Sequence, residues 1–437
     1  MATQALSRPR LALTPAYVER TLLLLAALFL AVNTLALTLT TGRGEDWVHF
    51  FVWLITAWAG HLWLHRRLPR RDPLFYPLAL FLSGWGMLMI ERLAPIFADR
   101  QTIWLVIGVV AALAVASVPG LLVWLRNFRY TILLASLALL VATILFGVNP
   151  SGQAGAPQLW LGFGTVFFQP SELLKVMLVV FLASYLAEQY PALQTLRSRA
   201  NRRFAGFSPR VIGPVLLMCG LSVTLLFWQR DLGTAALFFI VLLLMLYLAS
   251  GFGWLLWGGA LLVGAAGIAA YRFIGLVRLR IDIWWNPWLD PDGSAFQIVQ
   301  SLFAFAAGGA YGSGVGSGSP TFIPVVHSDF VFAALAEEWG LLGIIVVLGC
   351  IVALVMRGLR VAARQSQRPF FSLMAAGLSL LIAVQTLLIT GGVLKLIPLT
   401  GVTLPFLSYG GSSLLMTFIL VGLLIRLSAE EDGERDA

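Results

Sequence analysis

The chain has 437 residues, 59% of them hydrophobic and 11% charged, with a mean hydropathy of +0.89. Soluble domains carry about 25% charged residues, so composition excludes a water-soluble fold. The formal charge of +9 is almost wholly arginine, since Lys175 and Lys395 are the only lysines; in so apolar a chain this marks cytoplasmic loops rather than a nucleic-acid surface.

Apolar runs follow one another near 21–40, 46–64, 75–91, 103–123, 129–148, 170–188, 211–228, 232–250, 253–274, 331–356, 371–393 and 408–427. At about 20 residues per crossing they predict an all-α integral membrane protein of about twelve transmembrane helices. The first run is longer than a signal-peptide core, lacks a small-residue cleavage site and reads as a retained helix. With twelve alternating spans, four arginine-bearing loops fall on one side together with both termini. They follow span two (Arg66, Arg67, Arg70, Arg71), span four (Arg126, Arg129), span six (Arg197, Arg199, Arg202, Arg203, Arg210) and span ten (Arg357, Arg360, Arg364, Arg368). That side is cytoplasmic by the positive-inside rule. Cys219 and Cys350 lie in apolar runs and suggest neither a disulfide framework nor a metal site.

The opposite, outer face holds the long irregular stretches 149–169, 275–330 and 394–407. Loops of this length in a compact domain are usually functional, so the chemistry is expected there. They contain Gly152, Gly155, Gly162 and Gly164, a glycine run over 308–318, and Pro398 and Pro405. Within 275–330, residues 295–307 have helical spacing but are too few to span. The glycine-rich backbone after them must be buried in protein or wetted, and it would let backbone approach a ligand closely.

Charged side chains inside spans cost about 2.5–3.5 kcal/mol each on insertion scales, and five polar clusters invite a reason. The sequence FQPSELLK over 168–175 puts Glu172 and Lys175 one turn apart; an internal ion pair easing insertion explains them as well as a binding site does. In WQRDLGT over 228–234, Asp231 stands at a tight turn where it could simply cap the next helix. The stretch Asp290-Pro291-Asp292-Gly293 is a turn, followed by Gln297, Gln300 and Ser301 on one helical face, suited to sugar hydroxyls. In PVVHSDF over 324–330, His327 and Asp329 enter span ten, with Glu337 and Glu338 about two turns later; Asp329 too sits where an N-cap would. Lys395 precedes PFLSYGGSS over 405–413, where Ser408, Tyr409, Ser412 and the backbone amides could hold an anion such as a pyrophosphate, or pack helices through small residues. No P-loop, zinc-ligand spacing, nucleophile elbow or dinucleotide fingerprint is present.

Together, FQPSELLK, QRDLGT (229–234), HSDFVFAALAEEWG (327–340) and the run 398–413, in this order and spacing, resemble the shape, elongation, division and sporulation (SEDS) family, that of RodA, FtsW and SpoVE. The resemblance covers roughly 75–427. It implies a ten-span core (73–428) with a large extracytoplasmic loop (about 275–330) between spans nine and ten. Before the core come an N-terminal tail and two additional spans (1–72), and after it a charged tail (429–437). The implied activity is a glycosyltransferase that polymerises lipid II into glycan strands at the outer face of the bacterial cytoplasmic membrane, beside a class B penicillin-binding protein that makes crosslinks. The family's catalytic carboxylate falls on Asp329. Its polar cavity falls on Glu172 and Lys175, its Gln-Pro-Asp-Leu-Gly-Thr aspartate on Asp231, which could be structural, and its loop tryptophan on Trp160. The chain departs from the family in having Ser328 for a threonine and Arg230 for a proline. It also lacks a Gln-Lys pair near 318–321 and an arginine before Trp160, which touches pyrophosphate or acceptor binding.

Inversion at an α-linked sugar diphosphate needs one base for the incoming 4-hydroxyl and cations for the leaving group. Asp329 is the expected base, with His327 orienting the acceptor and Lys175, Lys395 and Arg278 or Arg280 opposing the pyrophosphate. A divalent cation, magnesium or manganese, could share that task, although no ligand set stands out. The rival reading is a flippase for lipid-linked precursors, which would need access to both faces; a scaffold with a vestigial cavity is a third.

Overall fold

The computed structural model describes residues 15–44, 46–150, 157–164, 166–199 and 209–432. Arg202, Arg203, Gly152, Gly155 and the charged tail beyond 432, all used above, lie outside them. The apolar runs satisfy their backbone internally, as a bilayer demands. Two N-terminal helices, α1 (Pro15–Thr41) and α2 (Asp46–Arg67), precede α3 (Phe75–Leu93), α4 (Ala98–Ser117), α5 (Leu121–Asn127) and α6 (Arg129–Phe146). Next come α7 (Pro170–Arg199), α8 (Pro209–Trp228), α9 (Leu232–Ser250) and α10 (Trp254–Phe273). The long loop holds α11 (Gly275–Trp285) and α12 (Phe296–Gly308), and α13 (Val331–Arg364), α14 (Pro369–Val393) and α15 (Gly411–Asp432) finish the bundle.

Among the described residues, 10 helices are long and apolar enough to cross a membrane. α3 and α8 stand where spans three and seven were expected but are not among them: α3 carries Glu91 and Arg92 in its last turn, and the apolar part of α8, Gly213–Trp228, is short. Predicted span four, 103–123, is two helices. Val118, which precedes Pro119, leaves the helical region as pre-proline residues do, and Gly120 at φ +72° starts α5. The 149–169 loop contains a hairpin, β1 (Leu161–Phe163) antiparallel to β2 (Val166–Phe168). The long loop contains α11, hidden from periodicity because Arg278, Arg280 and Asp282 interrupt its apolar residues.

α7, α14 and α15 form the buried centre, and α10 lies at the largely exposed periphery. α15 lies along α4, and α14 packs on α13 and α7. The α15–α4 approach needs a small residue, since a Cβ on Gly422 would stand 2.5 Å from the Ala112 carbonyl oxygen. α1 and α2 pack on α3 and α4.

α13 is broken at Gly340 (φ +63°, ψ −161°), and the glycine run repairs the break. The Leu341 and Leu342 amides donate to the Gly309 and Ala310 carbonyls at 3.0 and 3.2 Å, while the Ser313 and Gly314 amides donate to the Glu337 and Glu338 carbonyls at 2.8 and 3.1 Å. Gly308 and Gly312 therefore approach α13 closely: a Cβ on Gly308 would meet the Ala336 carbonyl oxygen at 1.9 Å, and one on Gly312 the Glu338 carbonyl oxygen at 2.2 Å. Glu337 and Glu338 serve the same junction. Glu337 accepts from the Ser319 amide at 2.6 Å. Glu338 accepts from Arg92 Nε at 2.9 Å and from the Gly316 amide at 3.1 Å.

Candidate active site

Pro170 opens α7, where its missing N–H costs nothing, and Glu172 and Lys175 turn inward one turn apart. Lys175 Nζ donates to Glu172 Oε1 at 2.7 Å, and both side chains are buried. The pair lines a small cavity with Gln385 of α14, Pro405, and Thr417 of α15.

Asp231 and Asp329 have the same local pattern, an aspartate just ahead of a helix, and different contacts. Asp231 caps α9: its Oδ1 accepts from the Thr234 amide at 3.1 Å, while its buried Oδ2 has no hydrogen-bond partner. Burial pushes the Asp231 carboxyl up, against the pull of the Thr234 bonds and the Lys175 charge. Asp329 caps nothing, because the N-cap of α13 is Phe330 and no side chain bonds the helix start. It is half-buried and in no salt bridge among the described residues. Burial pushes its carboxyl above the usual range, opposed by the Ser328 hydroxyl and the Arg280 charge.

Arg280, on the unforeseen α11, is the cation that connects these groups. It is half-buried; burial lowers its pKa, while Asp329 and then Asp231 raise it, so it lies within electrostatic reach of both carboxylates. Arg278 is spent elsewhere, donating to the Tyr271 and Arg272 carbonyls at 3.3 and 3.1 Å. Lys395 is half-buried in a left-handed conformation (φ +59°), and its carbonyl accepts from Trp284 Nε1 at 3.1 Å.

The turn before α15 is stitched to the strand of residues before α13. The Tyr409 amide donates to the His327 carbonyl at 2.8 Å, and the Ser408 hydroxyl donates to the Ser328 carbonyl. Phe97, on the loop between α3 and α4, stacks on Tyr409 with centroids 4.6 Å apart and lies 5.2 Å from the His327 ring. Arg100 lies beside the Tyr409 hydroxyl, and burial lowers the pKa of His327. Neither Phe97 nor Arg100 carried a motif signal; only the fold brings them here.

Other expected site residues have structural employment. Ser412 Oγ accepts from the Gln169 amide at 2.9 Å, tying the start of α7 to α15. Ser301 is fully buried and donates to the Ile298 carbonyl at 2.8 Å. Gln297 Nε2 donates to the Pro324 carbonyl at 3.2 Å, and Gln300 is half-buried beside it on α12. Trp160 pairs its backbone with Val148 at the base of the hairpin. Among the described residues, no three His, Cys, Asp or Glu side chains gather so as to hold a metal ion.

The cell cycle protein family that comprises FtsW, RodA and SpoVE matches this chain over residues 77–433. The chain belongs to the SEDS family. Its curated SEDS relatives include the peptidoglycan glycosyltransferase RodA of Mycobacterium tuberculosis, 35% identical over 98% of this chain and 94% of that one. They also include stage V sporulation protein E of Bacillus subtilis, 33% identical over 82% and 96%. Among solved structures, a peptidoglycan synthase complex described for coordinating polymerization and crosslinking is similar, with a TM-score of 0.68 and 27% identity over 83% of this chain and 99% of that one. The rod shape determining protein RodA of Thermus thermophilus shares the fold, with a TM-score of 0.59 and 24% identity over 83% and 98%. The SEDS match begins inside α3, and the alignment to the mycobacterial RodA takes in α1 and α2 as well.

Proposed function

We propose that this SEDS peptidoglycan glycosyltransferase polymerises lipid II into β-1,4 glycan strands at the outer face of the cytoplasmic membrane, with Asp329 as general base. The observation that carries the proposal is that Asp329 is free of other work. It neither caps α13 nor joins a salt bridge among the described residues, and burial raises its pKa toward the range a base needs. Asp329 takes the proton of the acceptor 4-hydroxyl, and the oxygen forms its bond to the anomeric carbon from the face opposite the α-linked diphosphate. The bond from that carbon to the diphosphate breaks, and its electron pair leaves with the lipid diphosphate, so the product is β. Arg280, Lys175 and Lys395 oppose the departing charge. Glu172 holds Lys175, and Asp231 fixes the start of α9 beside them.

The arginine pattern supports cytoplasmic termini. The likeness to a synthase complex supports a class B penicillin-binding protein as crosslinking partner. The test is gel-resolved glycan synthesis from purified lipid II, with and without that partner. Long strands support the reading; none from well-folded protein with the partner present would move the assignment to lipid flipping, measured next in vesicles.

A further inference from the structure

α1 carries a polar side chain in its apolar stretch, Asn33, which is 8% exposed and has no part in the chemistry above. Polar groups inside a span are costly and ask for a partner. Asn33 has two: its Nδ2 donates to the Phe29 carbonyl at 2.8 Å, and its Oδ1 accepts from Trp339 Nε1 at 3.0 Å. Trp339 is the residue immediately before the break at Gly340. Trp85 of α3 packs edge-on against its ring, with centroids 5.6 Å apart, and Phe29 of α1 lies 4.6 Å from Trp85. The outer end of α1 reaches the glycine run too, since a Cβ on Gly316 would stand 2.3 Å from Thr40 Oγ1. At its other end α1 is anchored by a buried cluster: Arg71 Nη2 donates to both Glu19 carboxylate oxygens at 2.7 Å, and His61 Nδ1 lies 2.8 Å from Glu19 Oε1. Arg20 Nε donates to His61 Nε2 at 3.1 Å, which leaves the ring proton on Nδ1.

We infer that α1 is a positioning element for the reaction: Asn33, through Trp339, holds the break in α13 and with it the short limb that ends at Asp329. The inference rests on Asp329 being the base. The limb 331–339 is about 13 Å long at 1.5 Å per residue, so a tilt of about 5° at the break moves its far end by about 1 Å. Misplacement of that size costs up to about a hundredfold in rate. A second hold acts from α3, where Arg92 Nη2 donates to the Gly318 carbonyl at 2.8 Å while its Nε bonds Glu338. Loss of Asn33 therefore loosens the limb without freeing it.

The experiment compares Asn33→Leu, Trp339→Phe and the double variant with wild type, in the full chain with its penicillin-binding partner. Lipid II polymerisation kinetics, melting temperature and backbone amide exchange are measured on each. Each single variant is expected to lose about tenfold in kcat at unchanged KM, and the double variant to lose no more than either single one. Amide exchange should speed up within 309–342 and not elsewhere. A kcat within about twofold of wild type overturns the inference. So does a loss that follows a general fall in melting temperature with exchange raised throughout. If wild type makes no strands, the glycosyltransferase reading fails instead, and the exchange pattern alone decides whether Asn33 holds the break.

Discussion

Replacing Asp329 by Asn, and separately Asp231 by Ala, splits catalysis from folding at two aspartates with the same local sequence position. Asn keeps the shape of the side chain and removes its basicity. Loss of a general base typically costs 10²–10⁴ in rate, about 3–5 kcal/mol of barrier. The folding effect has the opposite sign. Burial raises the native pKa of Asp329 above an unfolded value of about 3.9. The folded chain thus keeps this proton to higher pH than the unfolded chain does. Stability falls as pH rises from the unfolded pKa through the folded one, and at neutral pH the ionised carboxylate is a net cost. Asp329→Asn should therefore melt at or above the wild-type temperature while making no detectable strands. Asp231→Ala loses the bond to the Thr234 amide, usually worth about 1 kcal/mol at an N-cap, offset in part because burial makes the ionised Asp231 a cost as well, while keeping most of its activity. Single-turnover strand synthesis on a gel, with melting curves in the same detergent, reads both quantities. An Asp329→Asn enzyme above about a tenth of wild-type rate, or one that melts below wild type, would refute the assignment.

Arg280→Gln removes the positive charge that holds the Asp329 carboxyl down. The acid limb of kcat/KM should move to higher pH, and an unmoved limb would separate Arg280 from the base. Glu172→Gln leaves the Lys175 ammonium buried beside a neutral group, at about 3–5 kcal/mol. A Glu172→Leu, Lys175→Met double variant should recover more than half of that stability; unfolding curves that leave Glu172→Gln at wild-type stability would mean the pair is solvated. Gly312→Ala forces a Cβ into the Glu338 carbonyl at φ +81° and should cost about 1–3 kcal/mol. A wild-type melting temperature there would show that the glycine run is not seated on α13.

The membrane class and the motif residues Glu172, Lys175, Asp231 and Asp329 were legible because each signal is local: an apolar run of bilayer length, or side chains a fixed number of residues apart. The same local reasoning found the short helix α12 within 275–330 but missed α11, where arginines broke the apolar pattern and Arg280 could not be told from Arg278. It could not say what the glycine run approaches, because backbone that can approach closely does not name its neighbour, here α13 at Gly308 and Gly312. Ser412 and Ser301 looked available for sugar or diphosphate until the fold gave their hydroxyls to the Gln169 amide and the Ile298 carbonyl.

By itself, then, the sequence determined the helical membrane fold and the set of ionisable groups that had to be explained, since length, apolarity and spacing along one chain are enough for both. Only the tertiary structure decided that Asp231 caps its helix and that Asp329 does not. It alone brought Phe97 and Arg100 to Tyr409 and set Asn33 against Trp339, 306 positions apart. Those choices depend on which helix faces meet, and periodicity says only that a face exists.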